Sequence, residues 1–240
     1  MTPQEIFDEM NAFGSRHADP MMVAKYSRYF KEGYDAFGLK EGLLDEKVTS
    51  FLSEPGITYR LILQSSLLLV ESPKYEVPSC AIKLVLAKKK EWDRALFTTL
   101  EEWFRIGITN WAHTDYICGE ITPLLMSKRI ISLKDLEPWR FSPFRFQRRA
   151  SVVTLIKPMK KETDFKPFYA FIEPMMHDTE RVVHQGLGWF LREMWKKQPE
   201  STEAFLGRFK ETAPRLIFQY ATERMTPEDR ERFRKTRQSK

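Results

Sequence analysis

Apolar residues recur at steps of three and four along most of the chain, through 57–70, 79–87, 92–106, 110–126, 145–156, 164–175, 180–195 and 202–209. That spacing places them on one face of an α-helix, so each stretch predicts an amphipathic helix with a buried stripe. Start signals fit the same reading. Thr2-Pro3-Gln4-Glu5 offers a capping hydroxyl, a proline at the first helical position and a glutamate placed for a capping box. Asp19-Pro20 and Thr226-Pro227 open further helices in the same way, the latter with Asp229 at the third position. Glycine is scarce, at 10 residues, and no Asn-Gly or Asp-Gly hairpin turn occurs. The pattern predicts an all-α protein of about ten or more helices without a sheet.

Short connections such as Glu54-Pro55-Gly56 and Ser72-Pro73 predict antiparallel neighbours. No Gly/Ser-rich or Pro-rich linker divides the chain. One domain over 1–228 followed by a basic tail over 229–240 is therefore expected. Clear sequence repeats are absent, yet helices grouped in pairs of about 35–45 residues fit a degenerate HEAT-like solenoid. A compact bundle is the competing architecture, and periodicity does not choose between them.

Composition narrows the classes. The 240 residues are 30% charged and 42% hydrophobic, which suits a folded protein rather than a disordered one. The net charge of +6 permits a polyanionic partner without requiring one. Cys80 and Cys118 lie outside any CxxC or zinc-like spacing and are expected as buried small hydrophobes in a reducing compartment. The start "MTPQEIFDEM" is acidic and amphipathic, unlike a secretory signal, and "RLILQSSLLLV" is too interrupted to span a membrane. A cytoplasmic, cofactor-free and metal-free monomer is expected.

Three places carry candidate chemistry. In "NWAHTDY", Trp111 and Asp115 stand four residues apart and share a helix face. Trp111 reads as a core tryptophan or as an aromatic wall, and Asp115 as a solvated helix residue or as a functional carboxylate. In "FRFQRRASVV", Arg148 and Arg149 form either a solvated charged face or a phosphate contact, which the forked guanidinium suits. In "HQGLGWFLREMW", Gly186 and Gly188 each cost about 1 kcal/mol inside a helix. That cost implies close approach by another helix or a ligand beside Trp189. Arg192-Glu193 reads as an ion pair. Trp111 and Arg149 are 38 residues apart, and Arg149 and Trp189 are 40. In a helical-pair solenoid those steps are one repeat each, which would let all of them project onto one concave surface. Such a set suits a cationic substrate carrying phosphate. His113 is expected to point away from that face and is assigned no role.

Taken together, "NWAHTD", "WRFSPFRFQRRA" and "GLGWFLRE" make the chain resemble AlkD-type DNA glycosylases of the DNA alkylation repair family. The likeness extends more loosely to "YSRYFKEGYDAFGL" and "ESPKYEVPSCAIKLV" and covers roughly residues 5–225. It implies a right-handed solenoid of HEAT-like repeats whose basic concave face grips duplex DNA. It also implies hydrolytic excision of cationic alkylpurines such as 7-methylguanine and 3-methyladenine in base excision repair, through backbone and sugar contacts rather than base flipping. By motif, Asp115 would be the catalytic carboxylate and Trp111 and Trp189 the aromatics beside the sugar. Arg149 would lie at the phosphate, with Arg148 and Arg192 as further DNA contacts. Phe146 stands where tryptophan is common in the family. Pro123 and the stretch "KPMKKETDFKP" (157–167) are expected to kink or lengthen elements. The alternatives are a non-catalytic DNA-binding HEAT-like protein and a protein–protein scaffold.

Overall fold

The computed structural model describes residues 1–236 except Glu32 and Glu41; residues 237–240, the end of the expected tail, lie outside the described residues. Among the described residues every regular element is helical. The α-helices are α1 (Pro3–Arg16), α2 (Pro20–Ser27), α3 (Leu43–Ser53), α4 (Tyr59–Glu71), α5 (Glu76–Ala87), α6 (Arg94–Ile106), α7 (Trp111–Glu120) and α8 (Thr122–Ser127). They continue with α9 (Leu133–Leu136), α10 (Arg145–Val153), α11 (Ile156–Met159), α12 (Lys166–Ile172), α13 (Arg181–Trp195), α14 (Pro199–Phe209), α15 (Arg215–Ala221) and α16 (Pro227–Glu231). Short 3₁₀ turns span Pro138–Phe141 and Glu173–Met175. No helix among them is long and apolar enough to cross a membrane.

The caps form as their local chemistry dictates. Thr2 Oγ1 accepts from Glu5 N–H while the Glu5 carboxylate accepts from Thr2 N–H at 2.7 Å, closing the capping box. Asp19 accepts from the N–H groups of Met21 and Met22, and Thr226 from Asp229 N–H. The apolar run through 110–126 is two helices rather than one. Pro123 has no N–H to donate, so α7 ends at Glu120 and α8 starts at Thr122.

The chain forms two compact units, Met1–Ile121 and Thr122–Lys240. In the first, α1, α5 and α6 pack on α4, and α3 and α7 pack on α5. Ile6, Ile62, Leu69, Ile82 and Trp103 are fully buried there. In the second, α13 is central, packed by α10, α14 and α15 around Phe190, Leu191, Ile217 and Phe218.

Helix α2 leads into a stretch, 33–40, without regular structure, and its backbone polar groups need partners from elsewhere. Glu76, buried at the start of α5, supplies partners for three successive N–H groups. One carboxylate oxygen accepts from Phe37 N–H (2.9 Å), and the other accepts from Gly38 (2.7 Å) and Leu39 (3.1 Å). Tyr75 N–H donates to Asp35 O, Lys74 pairs with the Asp35 carboxylate, and Asp19 N–H donates to Phe37 O. Gly38 sits at φ +78°, where a side chain would be strained and would collide with Asp19 O. A hydrogen bond to a charged group contributes about 1.5–3 kcal/mol. Glu76→Ala should therefore lower unfolding stability by about 3 kcal/mol or more. It should also abolish amide-exchange protection at Phe37, Gly38 and Leu39. Urea titration and hydrogen exchange check both, and a loss below about 1 kcal/mol would contradict the assignment.

Candidate active site

Trp111 and Asp115 lie one turn apart on α7, and the helix start is set by Asn110. Its side-chain oxygen accepts from His113 N–H at 2.9 Å, leaving its NH₂ to donate to His113 Nδ1 at 2.8 Å. Nδ1 is thereby an acceptor, so Nε2 carries the proton. Nε2–H then faces Tyr75 O (3.0 Å) and Ser79 Oγ (2.8 Å), while Ser79 Oγ–H itself donates to Tyr75 O. The imidazole stacks on the Tyr75 ring at 4.5 Å. His113 thus turns inward, as expected, yet it is the pin between α7 and α5.

With His113, Thr114, Ile117 and Cys118 buried, the helix presents Trp111 outward. Trp111 is 39% exposed, whereas Trp103 and Trp139 are at 0% and 1%, so it is a surface aromatic and not a core one. Its indole N–H donates to Tyr29 O at 3.2 Å and its ring stacks on Phe30. Phe30 stacks in turn on Tyr34, and both rings meet Tyr75. Aromatic pairs of this kind add about 0.5–1.5 kcal/mol each beyond area burial. Burial, with Glu76 nearby, pushes the Tyr34 hydroxyl well above its ordinary range, so it stays protonated. Asp115 is half-buried on the helix face it shares with Trp111.

Arg149 and Trp189 belong to the second unit, where α10 and α13 lie side by side. Arg149 is buried, and its Nη1 donates to Val182 O at 2.7 Å. Arg148 makes a two-pronged pair with Asp178, Nε to Oδ2 at 2.6 Å and Nη2 to Oδ1 at 3.2 Å, and donates from Nη1 to Ser142 O. Arg192 pairs with Glu223 and lies 3.6 Å from Glu193. The cations of Arg148 and Arg192 are thus directed at carboxylates of the protein.

The two glycines have a packing cause. A Cβ at Gly186 would come within 3.3 Å of Arg149 Cγ and 3.2 Å of Val153 Cγ2. At Gly188 it would overlap Tyr220 Cβ and come 2.7 Å from Ile217 O. Gly186 therefore lets the arginine stem pass between α10 and α13, and Gly188 lets α15 close on α13. Trp189 is half-buried beside them, and Phe146 is buried, filling the position where tryptophan was the expected family residue. Among the described residues no group of three His, Cys, Asp or Glu side chains could hold a metal ion.

Sequence reasoning gave no role to Tyr29, Phe30, Tyr34, Tyr75, Glu76 or Asn110. The hints lay in the aromatic density of "YSRYFKEGYDAFGL", in "ESPKYEVPSCAIKLV", which carries Tyr75 and Glu76, and in Asn110 at the head of "NWAHTDY".

The sequence profile described as DNA alkylation repair enzyme matches residues 15–225. No functionally curated protein matches the chain in sequence. A solved structure described as a predicted DNA alkylation repair enzyme from Enterococcus faecalis superimposes with a TM-score of 0.70 at 15% identity. The match covers 88% of this chain and 98% of that one, a likeness of fold.

Burial drives the His113 pKa down from 6.5 to about 4, opposed in part by the hydrogen bond to Tyr75 O. Between those values the unfolded chain binds a proton that the folded chain does not, so folding stability falls as pH drops from 6.5 towards 4. The slope from this group approaches about 1.4 kcal/mol per pH unit. His113→Gln should flatten the profile of stability against pH over that window, measured by urea unfolding. An unchanged slope would show that His113 is not the group responsible.

Proposed function

The chain belongs to the DNA alkylation repair enzyme family, and on that premise we propose that it is a DNA glycosylase acting on cationic alkylpurines in duplex DNA. The observation that carries the proposal is the pairing on α7 of an outward-facing indole with a carboxylate one turn away.

An alkylated purine such as 7-methylguanine or 3-methyladenine is already cationic. When the N-glycosidic bond breaks, its electron pair goes to the base, which departs neutral without needing a strong acid. Positive charge appears on the sugar as an oxocarbenium ion, as in glycoside hydrolysis. Asp115 stabilises that charge and orients a water, which adds to C1′ and loses its proton to leave an abasic site. Preorganised electrostatic stabilisation of this kind is worth about 3–4 kcal/mol. The face of Trp111 adds about 0.5–2 kcal/mol of cation–π attraction. Trp189 supplies a second aromatic face, and Arg149 a guanidinium for a phosphate flanking the lesion. Val182 O holds that guanidinium in place. Arg148 and Arg192 act mainly by ordering α10 and α13, because carboxylates already claim them, and contact DNA secondarily. A HEAT-like solenoid belongs to the same proposal, supported by helices packing on partners two or three elements away, as α4 does on α6 and α10 does on α13.

Purified protein should release 7-methylguanine from methylated duplex. Asp115→Asn should slow single-turnover release by about 10²–10³, and Arg149→Ala should also reduce it. Release that survives both substitutions undiminished would overturn the assigned mechanism. Salt-sensitive duplex binding without any base release would instead favour a non-catalytic DNA-binding protein.

A further inference from the structure

One dipeptide holds Trp111 at two points. Tyr29 offers its backbone carbonyl to the indole N–H at 3.2 Å, and Phe30 lays its ring along the indole, with centroids 5.6 Å apart and planes 22° from parallel. Phe30 is not loose. It stacks on Tyr34 at 4.6 Å and 20°, and meets Tyr75 edge-on at 5.5 Å. Tyr75 stacks on His113 at 4.5 Å, and His113 is fixed at both ring nitrogens. A continuous row of rings therefore runs from a buried, neutral histidine to a tryptophan at the surface. The stretch carrying Phe30 and Tyr34 is anchored on Tyr75 and Glu76, through Asp35 O and the N–H groups of residues 37–39.

The hydrogen bond fixes the rotation of the indole, and Phe30 lies offset against one of its two faces. Cation–π attraction requires the cation over a ring face, so only a held ring offers it without an ordering cost at the moment of reaction. We infer that Phe30 is a positioning residue for Trp111, fixing the indole so that a single face meets the charge developing on the substrate. This rests on the glycosylase reading of Trp111. An aliphatic residue at position 30 would fill space but would not set the plane of the indole, whereas tyrosine would.

The test uses the full ¹⁵N-labelled chain, with the indole N–H resonance of Trp111 identified by its loss in Trp111→Phe. In Phe30→Leu that resonance should shift and broaden, and in Phe30→Tyr it should return close to the wild-type position. Single-turnover release of 7-methylguanine should be about tenfold slower in Phe30→Leu at nearly unchanged affinity for undamaged duplex, and Phe30→Tyr should restore it to within about twofold. A Phe30→Leu protein with a wild-type resonance or a wild-type rate overturns the inference. So does a rate loss matched by an equal loss of duplex affinity. If release by the wild type is absent or indifferent to Trp111→Phe, it is the glycosylase reading that fails. The resonance then still decides whether Phe30 positions the indole.

Discussion

A buried carboxylate that accepts three successive backbone N–H groups fixes the surface around Trp111. Without Glu76, residues 37–39 would have a row of donors and no acceptor, since no helix or strand is there to satisfy them. Such a stretch stays ordered only when a charge concentrated at one point replaces the ladder that regular structure provides. Because Tyr75 is its chain neighbour, the same turn of α5 also receives the His113 imidazole from α7. Two segments far apart in sequence thus meet on Tyr75 and Glu76, and the row of rings ending in Trp111 follows.

The second unit uses charge in a comparable way. Asp178 takes both prongs of Arg148 and also caps the turn before α13 by accepting from Glu180 N–H. That pair is nearly closed to solvent, and breaking it would leave a buried charge uncompensated, at a cost of about 3–5 kcal/mol. Arg149, next in sequence, is drawn between α10 and α13 by Val182 O and by the missing side chain of Gly186. The adjacent arginines therefore differ in kind. One ties α10 to the loop before α13 through the Asp178 carboxylate, and the other donates to the Val182 carbonyl within α13.

Local features of this fold were readable in the sequence, and long-range ones were not. The Thr2 box, the Asp19 and Thr226 caps and the helices from α4 to α7 depend on residues a few positions apart, so spacing reveals them. The run through 110–126 divides beside Pro123, the residue expected to kink it. Helices α3 and α15 did not stand out. Two-turn α15 owes its place to the close packing that Gly188 permits against α13. Trp111 and Asp115 share a face by helical geometry, which is why that pair was legible. Whether the indole was core or surface was not legible, because the answer lies with Tyr29 and Phe30, some eighty positions earlier. His113 looked idle because its partners, Tyr75 O and Ser79 Oγ, belong to another helix.

The proposed role of Asp115, electrostatic stabilisation of a cationic sugar, is open to a direct measurement that needs no catalysis. Transition-state mimics bind more tightly than neutral analogues where charge is recognised. Duplex binding can be compared for an abasic site carrying a cationic pyrrolidine ring and one carrying the neutral tetrahydrofuran ring. The wild-type chain should prefer the cationic duplex, and Asp115→Asn should abolish that preference while keeping affinity for the neutral one. Equal affinity of the wild type for both duplexes, or a preference untouched by Asp115→Asn, would contradict the account.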